Sequence, residues 1–202
     1  MIEIPFTSET RLELIKLAIA STNAKSYLEI GCDRNQIFSQ LSVEHMVGVD
    51  PAKGGNVRMT SDDFFNQNTE TFDVIFIDGL HYYEQVSKDL NNALEVLKPG
   101  GIIILHDMLP ISEQEAIVPI PETKQVWLGD VWRLAFDLSN RVDVNFNLIL
   151  IDHGCGVVTK GTQTPKNVIV DTLWESYQSN WQKLPLISFD EFSHMLPALT
   201  RL

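Results

Sequence analysis

Four side chains able to bind a metal or accept a proton follow two apolar segments of the chain. Asp78 and His81 come directly after one segment, and His106 and Asp107 come directly after the other. We expect the two segments to be neighbouring strands of one sheet, so that all four groups converge. Such a set can remove a proton from a hydroxyl group or bind a divalent ion. Carboxylates with one or two imidazoles suit a divalent metal, and a mainly oxygen set suits magnesium.

A second group of residues suits a nucleoside ligand without phosphates. Gly31 lets the backbone approach a ligand closely, and Asp50 can accept two hydrogen bonds from the paired hydroxyls of a ribose. Asp62 could accept a hydrogen bond from an adenine amine, with Phe64 or Phe65 packing on the ring. Plain alternatives stay open, because Asp50 precedes a proline in a turn and Asp62 could cap a helix.

The glycine pattern argues against a dinucleotide. The first turn holds one glycine, Gly31, and lacks the Gly-x-Gly-x-x-Gly cradle for a pyrophosphate. An NAD-dependent oxidoreductase is therefore disfavoured.

Short buried strands alternate with helices along the chain, which places these residues at strand ends. We predict strands at 27–30, 46–49, 57–59, 73–77, 101–105, 144–151 and 156–159, the last two forming a hairpin. Helices are expected from a cap at Thr7 or Ser8 to about Ala20, and over the segment that ends before Pro99-Gly100-Gly101. The fold class is α/β: a Rossmann-like, doubly wound, mostly parallel seven-stranded sheet with an antiparallel C-terminal hairpin.

We predict a single domain over residues 1–202, with a core of about 8–160 and a C-terminal helical extension over 161–202. Residues 108–128 contain three prolines and read as a lid or binding loop. In the extension, Trp174, Tyr177 and Trp181 fall at helical spacing and could bury a partner surface in a homo-oligomer. Ser188 and Glu191 form a capping box that opens a last short helix.

Charge and composition narrow the class of protein. The net charge is −12, and no run of Lys and Arg interrupts it, so a nucleic-acid substrate is disfavoured. No apolar run has the roughly 20 residues that span a bilayer, and the N-terminus does not resemble a secretory signal. Cys32 and Cys155 are expected to be free buried thiols in a reducing compartment. The expected location is the cytoplasm.

Four motifs in order carry a family resemblance: Leu28-Glu29-Ile30-Gly31, Val49-Asp50, the run from Phe72 to Gly79, and Leu97-Lys98-Pro99-Gly100-Gly101. Together they resemble class I S-adenosylmethionine (SAM)-dependent methyltransferases of the methyltransferase-24-like branch, over about residues 8–160. The first loop departs from the family pattern, because Asp33-Arg34-Asn35 stands where further glycines are usual.

This resemblance implies a SAM site with defined parts. Gly31 would border the methionine part of SAM, Asp50 would hold its ribose, and Asp62 would lie near its adenine. The implied cofactor-binding residues are Glu29, Gly31, Asp50, Asp62, Phe64 and Asp78.

The reactive segment is similar to metal-dependent O-methyltransferases that act on sugars in macrolide antibiotics. That similarity implies Asp78 and Asp107 as metal ligands and His81 as the general base, with Asp78 beside it. His106 stands where the first of two paired acids is expected, so it is a candidate ligand that leaves magnesium, manganese or no tightly held metal open.

A further motif, Trp127-x-Gly129-Asp130-Val131-Trp132, resembles a bacterial branch associated with sugar or glycan modification. Asp130 would be a further acid ligand or a simple helix cap. Trp127 or Trp132 could stack on a sugar ring, although core packing is the more common fate of a residue such as Trp132.

The resulting hypothesis is methylation of a hydroxyl group on a sugar, a glycan or another small molecule, with SAM as the methyl donor and possible help from Mg²⁺ or Mn²⁺. The alternative is a catalytically silent SAM-binding domain that acts as an interaction module. The retention of Asp78, His81 and Asp107 together argues against a silent domain.

Overall fold

The computed structural model describes residues 1–122 and 126–199, in which seven strands form one mixed sheet. Its order is β2-β1-β3-β4-β6-β5-β7. The strands are β1 (Ser26–Ile30), β2 (His45–Val49), β3 (Phe72–Ile77), β4 (Leu97–Leu105), β5 (Val144–Ile149), β6 (Cys155–Lys160) and β7 (Leu186–Ile187). The helices are α1 (Arg11–Thr22), α2 (Ser61–Gln67), α3 (Tyr83–Val96), α4 (Glu113–Ala116), α5 (Trp132–Asn140), α6 (Trp174–Asn180) and α7 (Phe189–Leu199). Short 3₁₀ turns occur at Phe38–Gln40 and Trp181–Lys183.

The sheet confirms the predicted fold class. Strands β1 to β4 pair in parallel, β6 runs antiparallel between β4 and β5, and β7 adds a short parallel edge. The chain places β2 on one side of β1 and β3 on the other. This reversal of strand order opens a crevice at the carboxyl ends of β1 and β3, which is where ligands bind in such sheets.

Each face of the sheet carries its own apolar layer. Val74 and Phe76 of β3 belong to the cluster with α1 and α7, whereas Ile75 and Ile77 belong to the cluster with α3 and α5. Successive side chains of a strand point to opposite faces, so a strand covered on both sides must be apolar throughout. This double burial holds the end of β3, and with it Asp78, in a fixed position.

The predicted strand at 57–59 is wrong. Val57 makes only an isolated bridge to Val49, and α2 begins at Ser61, so too little chain is left for a ladder. The seventh strand is instead β7, which pairs with β5 through Leu148 and Ile149.

The predicted cap of the first helix is also wrong. Helix α1 begins at Arg11, and Thr10 and Glu13 form its capping box. Thr7 remains outside because its backbone N–H donates to the Leu150 carbonyl at 2.8 Å. The predicted capping box of the last helix is confirmed, since Ser188 and Glu191 exchange hydrogen bonds at the start of α7.

The loop predicted at 108–128 begins inside the protein. Met108 and Leu109 are fully buried, and the chain then forms the short helix α4 before it returns at Trp127. The part of this loop at 123–125 lies outside the described residues.

The aromatic residues of the C-terminal extension pack on their own domain. Tyr177 is fully buried and its ring lies 5.0 Å from the ring of Trp132. Within the described residues, no helix combines the length and apolar character needed to cross a membrane.

Candidate active site

A cavity of about 660 Å³ lies at the carboxyl ends of β1, β2 and β3. Its volume falls within the range of small-molecule sites in proteins. Of the predicted cofactor residues, Glu29, Gly31, Asp50, Asp62 and Asp78 line it. His81, His106 and Asp107 line the same space, so the predicted cofactor and reactive groups share one cavity.

Gly31 joins the ends of β1 and β3. Its φ is +87°, and a Cβ atom there would lie 2.2 Å from the Asp78 carbonyl oxygen. A side chain at this position is therefore excluded both by backbone conformation and by contact. The glycine predicted beside the cofactor brings the first turn directly against the backbone that carries Asp78.

The Asp50 carboxylate is saturated by backbone amides. One oxygen accepts from the N–H groups of Cys32 and Asp33 at 3.1 and 2.9 Å, and the other accepts from Ala52 and Lys53 at 2.8 Å each. Burial opposes the charge, but these hydrogen bonds outweigh it and lower the pKa of Asp50. A carboxylate has about four lone-pair sites, so ribose hydroxyls would have to share acceptors that already have partners.

Glu29 is a buried acid in the cavity wall. It is 1% exposed and accepts a 2.7 Å hydrogen bond from the Tyr27 hydroxyl. Burial raises the pKa of Glu29 to about 7, because the charged carboxylate loses its hydration. A cationic group of a bound ligand would stabilise the charged form.

The residues predicted near the adenine separate in the structure. Asp62 lines the cavity, but one oxygen lies 2.6 Å from Lys88 Nζ and the other accepts from Gln85 at 3.1 Å. Phe64 does not line the cavity: its ring is buried in the core and packs edge-on against Phe65. The structure therefore does not place Phe64 for stacking on a bound base, because α2 turns that side chain towards the sheet.

Asp78, His81 and Asp107 form the reactive end of the cavity. Nδ1 of His81 lies 3.0 Å from the Trp127 carbonyl oxygen and 3.2 Å from Asp107 Oδ2, and Nε2 lies 3.5 Å from Asp78 Oδ1. A carbonyl oxygen only accepts, so Nδ1 carries the proton in this geometry and Nε2 is the basic nitrogen. Burial disfavours the imidazolium, but the carboxylates outweigh it and raise the pKa of His81.

Asp107 reaches this position through an unusual backbone. Its φ is +63°, a left-handed conformation that Asp tolerates better than most residues. The turn directs Oδ2 to His81 and Oδ1 to His106, so one buried carboxylate contacts both imidazoles.

His106 does not suit the predicted role of metal ligand. Its Nε2 lies 2.7 Å from the Asp152 carbonyl oxygen, and its Nδ1 lies 3.2 Å from Asp78 Oδ1 and 3.0 Å from Asp107 Oδ1. Both ring nitrogens therefore face acceptors and leave no lone pair for a metal. Burial opposes protonation, but Asp78 and Asp107 raise the pKa of His106 well above its ordinary value. The two acids therefore favour the charged form of His106.

Two residues of this network were missed by the sequence reasoning. Arg11 in the first turn of α1 bonds Asp152 at 2.7 Å, and its Nε lies 3.7 Å from Asp78 Oδ2. Asp152 lies in the hairpin turn between β5 and β6. Arg11 belongs to no motif in the sequence, whereas Asp152 lies between the two strands of the predicted hairpin. His106 and His81 hold the pKa of Asp78 well below its ordinary range despite burial.

Asp130 lies apart from the predicted metal set. Its Oδ1 accepts from the Tyr83 backbone N–H at 2.7 Å and its Oδ2 pairs with Arg133 at 2.8 Å. Asp130 therefore caps a helix, which is the simpler of its two predicted roles. The capped helix is α3, however, and not α5, which follows Asp130 in the sequence. Trp132 is buried in the core, as expected for packing.

The segment containing Trp127 and Gly129 encloses His81. The Trp127 ring stacks on the His81 ring at 5.3 Å and 19°, and its indole N–H donates to the Ile117 carbonyl at 2.7 Å. Gly129 has φ +63°, and a Cβ atom there would lie 1.8 Å from the His81 carbonyl oxygen. This segment fixes both the ring and the backbone of His81.

The remaining donors fit a divalent ion in part. Among the described residues, one metal-capable group occurs: Asp78, His81 and Asp107 offer atoms within 4.8 Å of one another. Two carboxylates and one imidazole suit Mg²⁺ or Mn²⁺. Of the four predicted ligands, Asp78 and Asp107 belong to this group, whereas His106 and Asp130 have other partners. His81, which was predicted as the general base, is the third member.

Comparison with known proteins agrees with this geometry. Residues 28–108 match the family model of a methyltransferase domain, Methyltransf_24. No protein with a curated function matches by sequence comparison. The matched segment runs from within β1 past the end of β4, and it includes all residues that line the cavity except Arg11.

Solved structures share the fold at low sequence identity. A Staphylococcus aureus protein assigned as a caffeoyl-CoA O-methyltransferase has a TM-score of 0.57 and 22% identity, over 78% of this chain and 86% of its own. An O-methyltransferase from Bacillus cereus, solved with S-adenosylhomocysteine, gives 0.52 and 16%, over 76% and 82%. TomG from Streptomyces achromogenes, an O-methyltransferase of tomaymycin synthesis solved with SAM, gives 0.51 and 17%, over 74% and 79%.

The family match covers the strands that build the cavity, and the fold is that of methyltransferases solved with SAM or its product. Residues 28–108 are thus similar to a methyltransferase domain, and the chain shares the fold of O-methyltransferases.

Proposed function

We propose that the protein transfers the methyl group of SAM to a hydroxyl oxygen of a small molecule or a sugar or glycan. The observation that carries this proposal is the position of His81 at the cavity wall, with Nδ1 against two acceptors and Nε2 left as the basic nitrogen. A hydroxyl group is a weak nucleophile and needs such a base, whereas an amine or thiolate acceptor needs less help.

Several contacts support the placement of SAM in the cavity. Gly31 admits the methionine part close to the backbone, and Glu29 is a buried acid suited to its ammonium group. Asp50 is assigned to the ribose, where its hydroxyls would share the oxygens with the amides of the first turn. When bound, SAM supplies an electrophilic methyl group, and the cavity walls orient it towards the acceptor.

The chain's own residues supply proton transfer and alignment. His81 accepts the hydroxyl proton at Nε2 as the acceptor oxygen approaches the methyl group. Asp107 then stabilises the charged imidazole from the Nδ1 side. Most of the rate would come from holding the oxygen and the methyl carbon in contact.

A divalent cation fits beside this base. Asp78 and Asp107 would hold it, and its charge would lower the pKa of an acceptor hydroxyl. His106 and Arg11 already supply positive charge to the same carboxylates, so the site is also balanced electrostatically by its own side chains.

The decisive experiment is a methyl-release assay with a panel of sugars, nucleotide sugars and phenols, read as S-adenosylhomocysteine formation. Calorimetry with SAM on the same sample separates binding from turnover. SAM binding without methyl release to any acceptor of the panel would favour the silent interaction module instead.

A further inference from the structure

One wall of the cofactor cavity is organised by the side-chain amide of Gln85. This residue lies in the first half of α3, and its Nε2 is 3.1 Å from Asp62 Oδ1, 3.1 Å from Asp89 Oδ1 and 3.2 Å from Ser61 Oγ. All four residues line the cavity. The sequence reasoning identified only Asp62 among them.

These contacts determine which way the amide faces. Carboxylate oxygens only accept hydrogen bonds, so the NH₂ group of Gln85 must face Asp62 and Asp89. A rotated amide would place its oxygen against two carboxylates and lose their hydrogen bonds. Asp89 is 1% exposed and cannot replace this donor with water. Oε1 of Gln85 has no hydrogen-bond partner among the described residues and is the free polar atom of the group.

Asp62 is less available to a ligand than Gln85. Lys88 Nζ lies 2.6 Å from one of its oxygens and the Gln85 amide occupies the other. The Lys88 hydrogen bond is the largest contribution that lowers the pKa of Asp62. Asp62 therefore holds the amide in place.

We propose that Gln85 Oε1 accepts a hydrogen bond from the 6-amino group of the adenine of SAM, and that Asp62 and Asp89 fix its orientation. The wall would then select an aminopurine and reject a purine with a carbonyl at the same position, which would face Oε1 acceptor to acceptor. This inference rests on the SAM binding described above and assigns the residue that recognises the base.

The test is calorimetry with S-adenosylhomocysteine and with S-inosylhomocysteine, which carries a carbonyl in place of the 6-amino group. The parent protein should prefer the adenosine compound by about tenfold, which corresponds to about 1.4 kcal/mol for a mismatched buried polar pair. Gln85→Leu should reduce this preference to about threefold or less, mainly because it weakens the binding of the adenosine compound.

Two variants make the test specific. Gln36→Leu removes an amide elsewhere in the cavity wall and should leave the preference unchanged. Asp62→Ala should also keep most of it, because Asp89 and Ser61 still hold the amide. Melting temperatures confirm that each variant is folded.

The outcomes distinguish the role of Gln85 from the binding of SAM in the cavity. A preference that survives in Gln85→Leu overturns the role of Gln85. If the preference is also lost in Asp62→Ala, Asp62 and not Gln85 recognises the amino group. Equal binding of both compounds by the parent protein overturns the role of Gln85 as well, while SAM binding stands. If neither compound binds the parent protein, both the cofactor assignment and the inference are wrong.

Discussion

His81 and Asp107 meet through Nδ1 and Oδ2 at 3.2 Å, although they follow different strands and lie 26 positions apart in the sequence. The contact places an acid where it would fix the tautomer of the proposed base and stabilise its charged form. It depends on the parallel pairing of β3 with β4, in which Ile77 is opposite Leu105.

Replacement of His81 with Ala should lower turnover by about 10²–10⁴-fold, the usual contribution of a positioned general base. SAM affinity by calorimetry should change by no more than a few fold, because the cofactor part of the cavity is intact. His45→Ala is the matched control, since His45 lies on the surface and bonds Glu70. Unchanged turnover in His81→Ala would remove the base assignment.

The rate should rise with pH and reach a plateau. His81 acts as a base only when neutral, and the carboxylates raise its pKa despite burial, so the midpoint should lie above the ordinary histidine value. Asp78→Asn removes one of these charges and should move the midpoint to lower pH. A midpoint that stays fixed in this variant would show that another group controls the profile.

Trp127→Ala should lower kcat by roughly tenfold with little change in KM for SAM, because His81 loses the ring stacked on it. Trp127→Phe keeps an aromatic face and should recover most of the activity. If Trp127→Phe and Trp127→Ala have the same kcat, the aromatic ring does not position His81.

A chelator should slow the reaction, and added Mg²⁺ or Mn²⁺ should restore it. Asp107→Asn should weaken metal binding, measured by calorimetry with the metal alone. Asp130→Asn should leave metal binding unchanged while lowering the melting temperature, because Asp130 caps α3 and pairs with Arg133. A rate that is indifferent to chelator would remove the metal from the mechanism.

Glu29 should make the protein without cofactor less stable as pH rises. Its pKa is raised from 4.5 to about 7 by burial, so its contribution is fully present below about pH 4.5 and is lost as pH rises through about 7. Glu29→Gln should therefore be more stable than the parent protein at pH 8, by up to roughly 3 kcal/mol, and nearly equal at pH 5. Urea unfolding at the two pH values measures this. If the unfolding free energies of Glu29→Gln and the parent protein differ by the same amount at pH 5 and pH 8, the raised pKa of Glu29 is contradicted.

The sequence predicted those parts of the molecule that local patterns determine. Apolar runs located β1 to β6. The one or two residues after each parallel strand located Gly31, Asp50, Asp78, His106 and Asp107 in the cavity wall. The error at 57–59 arose because a short apolar stretch cannot show that the next helix begins too soon for a ladder.

Contacts between distant segments could not be predicted in this way. Arg11 and Gln85 are polar residues on helices with no distinguishing neighbours, and only the tertiary structure brings them to the cavity. The sequence correctly predicted Asp130 as a possible helix cap but assigned it to the wrong helix. A side chain can accept a hydrogen bond from backbone that is distant in the sequence, as Asp130 does from Tyr83.

Gly31 holds the ends of β1 and β3 at a fixed distance from each other. Since its Cα packs without a side chain against the Asp78–Gly79 backbone, the strand end that receives the donor and the strand end that bears the base form one rigid unit. Main-chain contact would thus set the distance between a bound methyl donor and the backbone that leads to His81, and the contacts with Trp127 and Asp107 position the His81 ring itself. A single added methyl group here would separate the two halves of the reaction, even though it touched neither substrate.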